Sequence, residues 1–399
     1  MVNSKAFGPL RRPDYRWLWF GQLISVVGDK LNQIAVAVLV YAMTGSMLQM
    51  GIMLGLTALP AVLFGVVAGT LVDRWGRRRT MIVADFLRAA LVLFIPIGAR
   101  TSIWYVYAIG FLIATVSLFF EPAKRALIPE LVDDAEVMSA NSLDQASASA
   151  SELAGLAVGG IIVAALGTNM AFILDAATFL ASAIAIAAIA HRESPANREA
   201  RQSIVSEAVE GLKHIGESPV LRDLTLVYTV AVIGGSASIP LCYALALRTY
   251  NAGAHGLALL DGSITVGLLL GAFMVGSSGP DAVGRKLLLG LLGMGATLAL
   301  IPFATTIWLA VPVLLVAGLA NMWVYIPAIT LFQKEPPPRF RGRVTAAAMT
   351  IVRVFTVAGM VGAGALLERT GTSIVALLAS ALLVAAALLG FTRTALRTA

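Results

Sequence analysis

Apolar segments of about 20 residues recur along the whole chain, and short polar stretches separate them. A helix needs about this length to cross roughly 30 Å of hydrocarbon. We trace twelve such segments, and each is a predicted transmembrane helix. The predicted spans cover residues 15–42, 47–72, 80–99, 102–121, 138–166, 168–190, 221–247, 254–278, 284–304, 306–333, 342–367 and 371–393.

Composition agrees with an integral membrane protein. Of the 399 residues, 58% are hydrophobic and 13% are charged, whereas a soluble domain is about a quarter charged. The first apolar run is too long for a signal peptide and no cleavage site follows it, so it is the first span. The single cysteine, Cys242, lies inside a predicted span. A disulfide framework or a thiolate metal site is therefore not expected, and the chain suggests no metal and no cofactor.

The basic residues predict the orientation of the chain. With an even number of spans, both termini lie on the same side of the membrane, and most of the 29 lysines and arginines fall on that side. Only Arg100, Arg248 and Arg369 lie in the opposite loops. Cytoplasmic loops are the positive ones, so we expect both termini in the cytoplasm. The net charge of +7 then follows from topology and requires no nucleic-acid partner.

The longest polar interval lies in the middle of the chain and separates six spans from six. We predict an N-terminal bundle over 1–190, a cytoplasmic linker over 191–220 and a C-terminal bundle over 221–399. In the linker, apolar residues at helical spacing predict a short amphipathic helix on the cytoplasmic face; they are Ile204, Ala208, Leu212 and Ile215.

The two halves carry weak internal repeats. The stretch DRWGRRR (73–79) is echoed by DAVGRK (281–286), and FEPA (120–123) is echoed by YIPA (325–328). Many transporters consist of duplicated bundles with the substrate site between them. The predicted fold class is therefore an all-α membrane protein with two six-helix bundles related by pseudo-two-fold symmetry.

The loop after the second span concentrates charge between two apolar runs. Its pattern GxxxDRxGRR resembles the signature loop of the major facilitator superfamily, matched by Gly69, Asp73, Arg74, Gly76, Arg77 and Arg78. RWLWFGQLISVVGDKL in the first span, FEPAKRALIPELV after the fourth and EGLKHI in the centre are similar to the drug:proton antiporter branch, which contains macrolide efflux proteins and the enterobactin exporter.

The resemblance implies a monomeric secondary transporter that works by alternating access. In this superfamily Asp73 would face the N-terminal end of the eleventh span, where a helix dipole favours a carboxylate. The arginines would pair with nearby acids such as Asp85, Asp133 and Asp134. The loop would then close the cytoplasmic side in one state and open it in the other. The alternative is that its charges only set the topology.

Ionisable residues inside a membrane are rare and usually functional. In the first span, Gln22, Asp29 and Gln33 share one helical face, and in the fifth span Asn141, Gln145 and Glu152 do so. A carboxylate in an apolar cavity holds a proton more readily than one in water. We expect Asp29 and Glu152 to exchange protons or to bind a cationic substrate. Alternatively, Asp29 is a structural partner of Lys30 or of a more distant arginine.

Further candidates come from the fourth span and from the second half. Glu121, at the end of the fourth span, either joins the same site or is a loop residue. The family lines its path with spans one, four, seven and ten, which implies Tyr228, Asn321 and Tyr325 as cavity residues.

Two departures from the family pattern concern coupling. The antiporter motif carries a proline where Leu156 stands in GLAVGG, and the fourth span lacks the arginine that many antiporters have. Coupling would then use the carboxylates of spans one and five, or a different ion.

An enzyme is disfavoured, because the three histidines are not arranged with a nucleophile and no phosphate-binding GxxxxGK[ST] loop occurs. We predict a transporter in a bacterial inner membrane that exports lipophilic or cationic drugs in exchange for protons. An exporter of one metabolite or siderophore is the alternative. For an anionic substrate it would need basic residues in the cavity, and only Lys30 and Arg353 are candidates. A nutrient importer is the third possibility.

Overall fold

The computed structural model describes residues 8–65, 71–72, 75–191, 204–279 and 281–397, with the backbone alone at 204–208. All regular secondary structure in these ranges is helical. Nine helical segments of the described residues are long and apolar enough to cross a membrane, two of them only together with the short helices that directly follow. The predicted all-α membrane fold is therefore confirmed.

We number the α-helices in chain order. They are α1 (Pro13–Thr44), α2 (Met47–Leu63), α3 (Arg77–Ala99), α4 (Ile103–Leu131), α5 (Val137–Ala187), α6 (Ile204–Glu217), α7 (Pro219–Gly235), α8 (Ser238–Ala244), α9 (Gly253–Ser277), α10 (Val283–Ala299), α11 (Ile307–Lys334), α12 (Arg341–Thr392) and α13 (Thr394–Arg397). A π-helical turn, Leu245–Thr249, extends α8.

Two of these helices each contain two predicted spans. The backbone of α5 is broken at Gly167 (φ 81°), and that of α12 is broken at Gly371 (φ 80°). A positive φ is readily adopted only by glycine, so each break depends on its glycine. With α5 and α12 counted as two spans each and α2 added, the described residues contain twelve spans.

Helix α4 is longer than the sequence predicts. It continues through Pro122 and Pro129 to Leu131, although the predicted span ends at residue 121. Proline is tolerated in transmembrane helices because neighbouring groups compensate for the lost backbone hydrogen bond. Lys124 and Arg125 therefore lie on a helix and not in a loop.

The first unit contains residues 1–45 and 56–199. Within it, α1 packs along the first half of α5. Gly155 allows this close approach, because a Cβ atom there would lie 2.9 Å from the carbonyl oxygen of Val27. Two hydrogen bonds join the same helices, from the Tyr15 hydroxyl to the Ala140 carbonyl (2.7 Å) and from the Trp19 indole to Ser147 (2.8 Å).

The second unit contains residues 46–55 and 200–399. The start of α2 belongs to it, since the Met47 amide donates to Glu368 of α12 at 2.7 Å. The linker helix α6 also packs on α12, where Glu210 pairs with Arg343. The His214 ring stacks on Phe340, just before α12, with 4.6 Å between the ring centroids.

Candidate functional site

A cavity of about 740 Å³ opens within the first unit, between α1, α4 and the first half of α5. Its lining is mostly polar and includes Asp29, Lys30, Gln33, Glu121, Lys124, Arg125, Asn141, Asp144, Gln145, Ser149 and Glu152. The structure thus brings together five of the predicted site residues, namely Asp29, Gln33, Glu121, Gln145 and Glu152.

The structure places Gln22 outside this lining. Gln22 is buried, and its amide nitrogen lies 3.3 Å from the Ser182 hydroxyl in the second half of α5. It shares a helical face with Asp29, but the neighbours of that face change along the axis of α1. At Gln22 the face is covered by the second half of α5, and at Asp29 it is open to the cavity.

Ion pairs neutralise most of the charges that line the cavity. Lys30 lies 2.9 Å from Glu152 and donates to Gln33 at 3.2 Å. Lys124 is only 5% exposed and lies 3.1 Å from Glu121 and 3.2 Å from Asp144. A buried lysine is rare unless an acid pairs with it. These contacts fix both ammonium groups on acids of the lining.

Asp29 is the exception among these charged groups. Its side chain is open to the cavity, and it accepts no hydrogen bond and forms no ion pair within the described part of the chain. Lys30 is its sequence neighbour but is bound to Glu152. The lining contains one more acid than base, and Asp29 is the acid without a partner. The cavity therefore favours a proton or a positively charged guest.

A second group of charged residues is buried on the other side of α1 from the cavity. We call it the rear cluster, and it consists of Asp85 and Arg88 on α3 and Asp175 on the second half of α5. Asp85 and Asp175 are 0% exposed and Arg88 is 5% exposed. Arg88 pairs with Asp85, and its guanidinium lies between the rings of Phe120 (4.5 Å) and Phe179 (4.3 Å). Asp85 thus pairs with an arginine of its own helix, one turn away.

The sequence places Arg88 within a span, and the structure buries it in the interior of the bundle, on α3 and not on the fourth span. Another feature of this region is not identified by the sequence. Lys124 and Asp144 line the cavity, although the sequence places Lys124 in a loop. Pro122 is the misleading signal, since it suggests the end of a span.

The second unit contains a smaller cavity of about 220 Å³. Three predicted residues, Tyr228, Asn321 and Tyr325, lie together in its lining. The other lining residues are almost all apolar or small, and include Ile239, Leu291, Met294, Val324 and Val352. This cavity has no charged residue in its described lining and suits an apolar guest.

The charged loop is described only in part. Gly69, Asp73 and Arg74 lie outside the described residues. Gly76 precedes α3 with a positive φ of 85°, a conformation that favours glycine.

Two of the acids predicted to pair with this loop have other partners within the described residues: Asp85 pairs with Arg88 and Asp133 with Arg12. Arg77 pairs with Glu130, and Arg78 donates to the Ile186 carbonyl at the end of α5. A cation is favoured at such a helix C-terminus.

Comparison with known proteins identifies the family. A family model described as Major Facilitator Superfamily matches residues 18–360. The chain belongs to the major facilitator superfamily. As a member, the protein is a transporter with helices that pass through the membrane many times, and it is not an enzyme.

Relatives of this transporter include named efflux proteins. It is 26% identical to the "Multidrug efflux pump Tap" of Mycolicibacterium fortuitum, over 93% of this chain and 92% of that protein. It is 24% identical to "Macrolide efflux protein A" of Streptococcus pyogenes, over 93% of each chain. It is 27% identical to the "Uncharacterized MFS-type transporter YfiS" of Bacillus subtilis, over 91% of this chain and 89% of that protein.

Solved structures agree on the fold of this transporter. The nucleoside transporter NupG superposes with a TM-score of 0.75 over 95% of this chain and 98% of the other, at 13% identity. A bacterial homologue of the iron transporter ferroportin superposes with a TM-score of 0.74 over 95% of this chain and 98% of the other, at 14% identity. These identities are low, so they support the major facilitator fold and no particular substrate.

Proposed function

We propose that the protein exports lipophilic or cationic small molecules across the bacterial cytoplasmic membrane in exchange for protons. It would work as a monomer by alternating access, with both termini in the cytoplasm. The single observation that carries this proposal is the unpaired Asp29 carboxylate in the polar cavity of the first unit.

The charge balance of the cavity supports the exchange. Four acids line it, against three basic residues, and both of its lysines are held by acids. A proton or an organic cation bound at Asp29 neutralises the remaining charge. Because an ionised group in a poorly solvated site is costly, the two ligands compete for the same carboxylate. Such competition is what couples the movement of one ligand to that of the other.

The relatives support an exporter, since two of them are named as efflux proteins for drugs or macrolides. The apolar lining of the second unit's cavity suits the lipophilic part of such compounds.

The alternative is an exporter of one anionic metabolite or siderophore. One observation favours it: Lys124 and Arg125 bring further basic groups to the cavity lining. Lys124, however, contacts two acids, and Arg125 lies 3.5 Å from Glu121. The pairing makes these bases poor anion sites, so export of cations is the better proposal.

Ethidium efflux from cells that express the protein tests the proposal. We expect efflux that a protonophore stops, that Asp29→Asn abolishes, and that Glu152→Gln reduces, with protein still present in the membrane. Glu335→Gln serves as the control, because Glu335 is an exposed acid outside the lining of both cavities. Protonophore-sensitive efflux that Asp29→Asn leaves unchanged would remove Asp29 from the mechanism.

A wild-type protein without ethidium efflux would lead to the alternative. The next assay would then be export of a catecholate siderophore such as enterobactin. Export of that anion, sensitive to Lys124→Gln, would support the narrow-substrate exporter.

A further inference from the structure

We propose that the rear cluster is a second proton-binding site, with the proton held on Asp175. The bound proton is inferred from the contacts of the cluster, and only its use in exchange rests on the proposed function.

The charge balance of the rear cluster requires another positive charge. Asp85 and Asp175 are both fully buried, and Arg88 is the one cation of the cluster. Arg88 is paired with Asp85, which leaves Asp175 without a counter-ion among the described residues. A buried carboxylate without a partner costs several kcal/mol, and protonation removes that cost.

The hydrogen bonds of the cluster are incomplete in a way that fits a bound proton. The Oδ2 atoms of Asp175 and Asp85, both acceptors, have no hydrogen-bond partner among the described residues. The Thr178 hydroxyl donates to the Asp175 carbonyl at 2.7 Å and lies 3.5 Å from Oδ1, so it leaves the carboxylate poorly satisfied. Buried polar atoms normally have partners, so these atoms indicate a site that is built to be occupied. A proton turns Asp175 from an acceptor into a donor.

The charged groups around Asp175 come from two other helices. Asp29 lies on α1, and Asp85 and Arg88 lie on α3. On its own helix, the Thr178 hydroxyl is the polar neighbour. Two acids and one base therefore surround Asp175, and Asp85 holds the base.

On α1, only Gly28 lies between the rear cluster and Asp29, the acid that faces the cavity. A Cβ atom on Gly28 would lie 2.6 Å from Asp175 Oδ1 and 2.0 Å from Thr178 Oγ1, so Asp175 lies directly against the backbone of α1. The next residue, Asp29, faces the cavity. Within the described part of the first unit, Asp29 and Asp175 are interior acids with no ion pair, and charge on one disfavours charge on the other. A cation bound at Asp29 would cancel the repulsion between the two carboxylates and so lower the proton affinity of Asp175. Asp175 would then release its proton, and the transporter would exchange a second proton in each cycle.

Infrared spectroscopy of the purified protein in liposomes tests the occupancy directly. A protonated carboxylic acid has a carbonyl stretching band apart from the amide bands, and this band shifts in D₂O. At neutral pH we expect a band that persists in Asp29→Asn and disappears in Asp175→Asn. Asp223→Asn is the matched control, because Asp223 is a buried acid of the second unit. A band that disappears only in Asp29→Asn would overturn the proposal.

Thermal unfolding provides a second and independent readout. Asparagine has nearly the shape of a protonated aspartic acid, so Asp175→Asn should leave the melting temperature almost unchanged. Asp85→Asn removes the partner of Arg88 and should lower it clearly. If Asp175→Asn instead unfolds the protein, Asp175 is an ionised partner of Arg88 and the proposal is wrong.

A sodium ion is the competing occupant. No acid band in the wild type, together with a sodium-dependent rise in melting temperature that Asp175→Asn removes, would assign the site to sodium and contradict the proposal. None of these measurements requires transport. If ethidium efflux fails while the acid band depends on Asp175, the proposed function fails and the proton site stands.

Discussion

The polar cavity of the first unit and the apolar cavity of the second unit occupy related parts of the internal repeat. FEPA in α4 corresponds to YIPA in α11. In the first unit, Phe120 is 4% exposed and packs on Arg88, and Glu121 and Lys124 line the cavity. In the second unit, Tyr325 is 44% exposed and lines the cavity, and isoleucines stand in place of the two ionisable residues.

The same difference holds for the rear cluster. The repeat that relates Asp73 to Asp281 aligns Asp85 with Gly293 and Arg88 with Ala296. The second unit thus lacks the buried ion pair at the matching positions. Because buried charges are costly, one unit retains them only if they serve a purpose that the other unit does not share. We infer that ion exchange is concentrated in the first unit and apolar selection in the second.

Removal of Arg88 is expected to have the largest effect on stability. Arg88→Met leaves the buried Asp85 carboxylate with no cation beside it, and breaking a buried pair in this way costs about 3–5 kcal/mol. We expect a much lower melting temperature for the purified protein.

The matched control for Arg88 is Arg369→Met in the second unit. Arg369 is exposed at the end of a span, and an exposed charge contributes roughly 0–1 kcal/mol. Equal destabilisation by the two variants would contradict the view that the first unit depends on the buried pair of Asp85 and Arg88.

A methyl group at Gly28 is expected to have the next largest effect. Gly28→Ala places a Cβ atom 2.0 Å from Thr178 Oγ1, so α1 must move away from α5. Overpacking of this kind costs about 1–3 kcal/mol. Melting temperature and efflux should both fall. Gly362→Ala in α12 is the control, because open space surrounds that position. A fully stable, active Gly28→Ala variant would mean that the close contact is not required.

These positions also indicate what the sequence can and cannot reveal. The number of spans, a break at Gly167 and one close to Gly371, and the shared faces of Asp29 with Gln33 and of Asn141 with Glu152 follow from hydropathy and helical spacing. The rear cluster does not, because Asp175 is 87 residues beyond Arg88 in the chain and meets it only through tertiary packing. Spacing along one helix likewise cannot tell that Gln22 is covered while Asp29 is open.

Truncation of Tyr325 is expected to change substrate selection and not coupling. Tyr325→Ala removes part of an aromatic wall, and loss of about 1 kcal/mol of apolar contact raises KM roughly three- to tenfold. The rise should be greatest for the most lipophilic substrates, as measured by efflux over a range of concentrations. Tyr325→Phe, which retains the ring, should behave like the wild type. Loss of protonophore sensitivity in Tyr325→Ala would contradict the division between the units.

The smallest effect is expected for the pair of Lys30 and Glu152, which a double-mutant cycle can measure. The two side chains are 20% and 41% exposed, so the ion pair contributes only about 0.2–1 kcal/mol to stability. Efflux should respond in a different way. Glu152→Gln frees Lys30 to approach Asp29, so it should lower ethidium efflux, and adding Lys30→Met should restore part of it. Strictly additive effects of the two substitutions would show that the pair does not control access to Asp29. A partial rescue would show instead that Glu152 acts by holding Lys30 away, which keeps the cavity acid available for exchange.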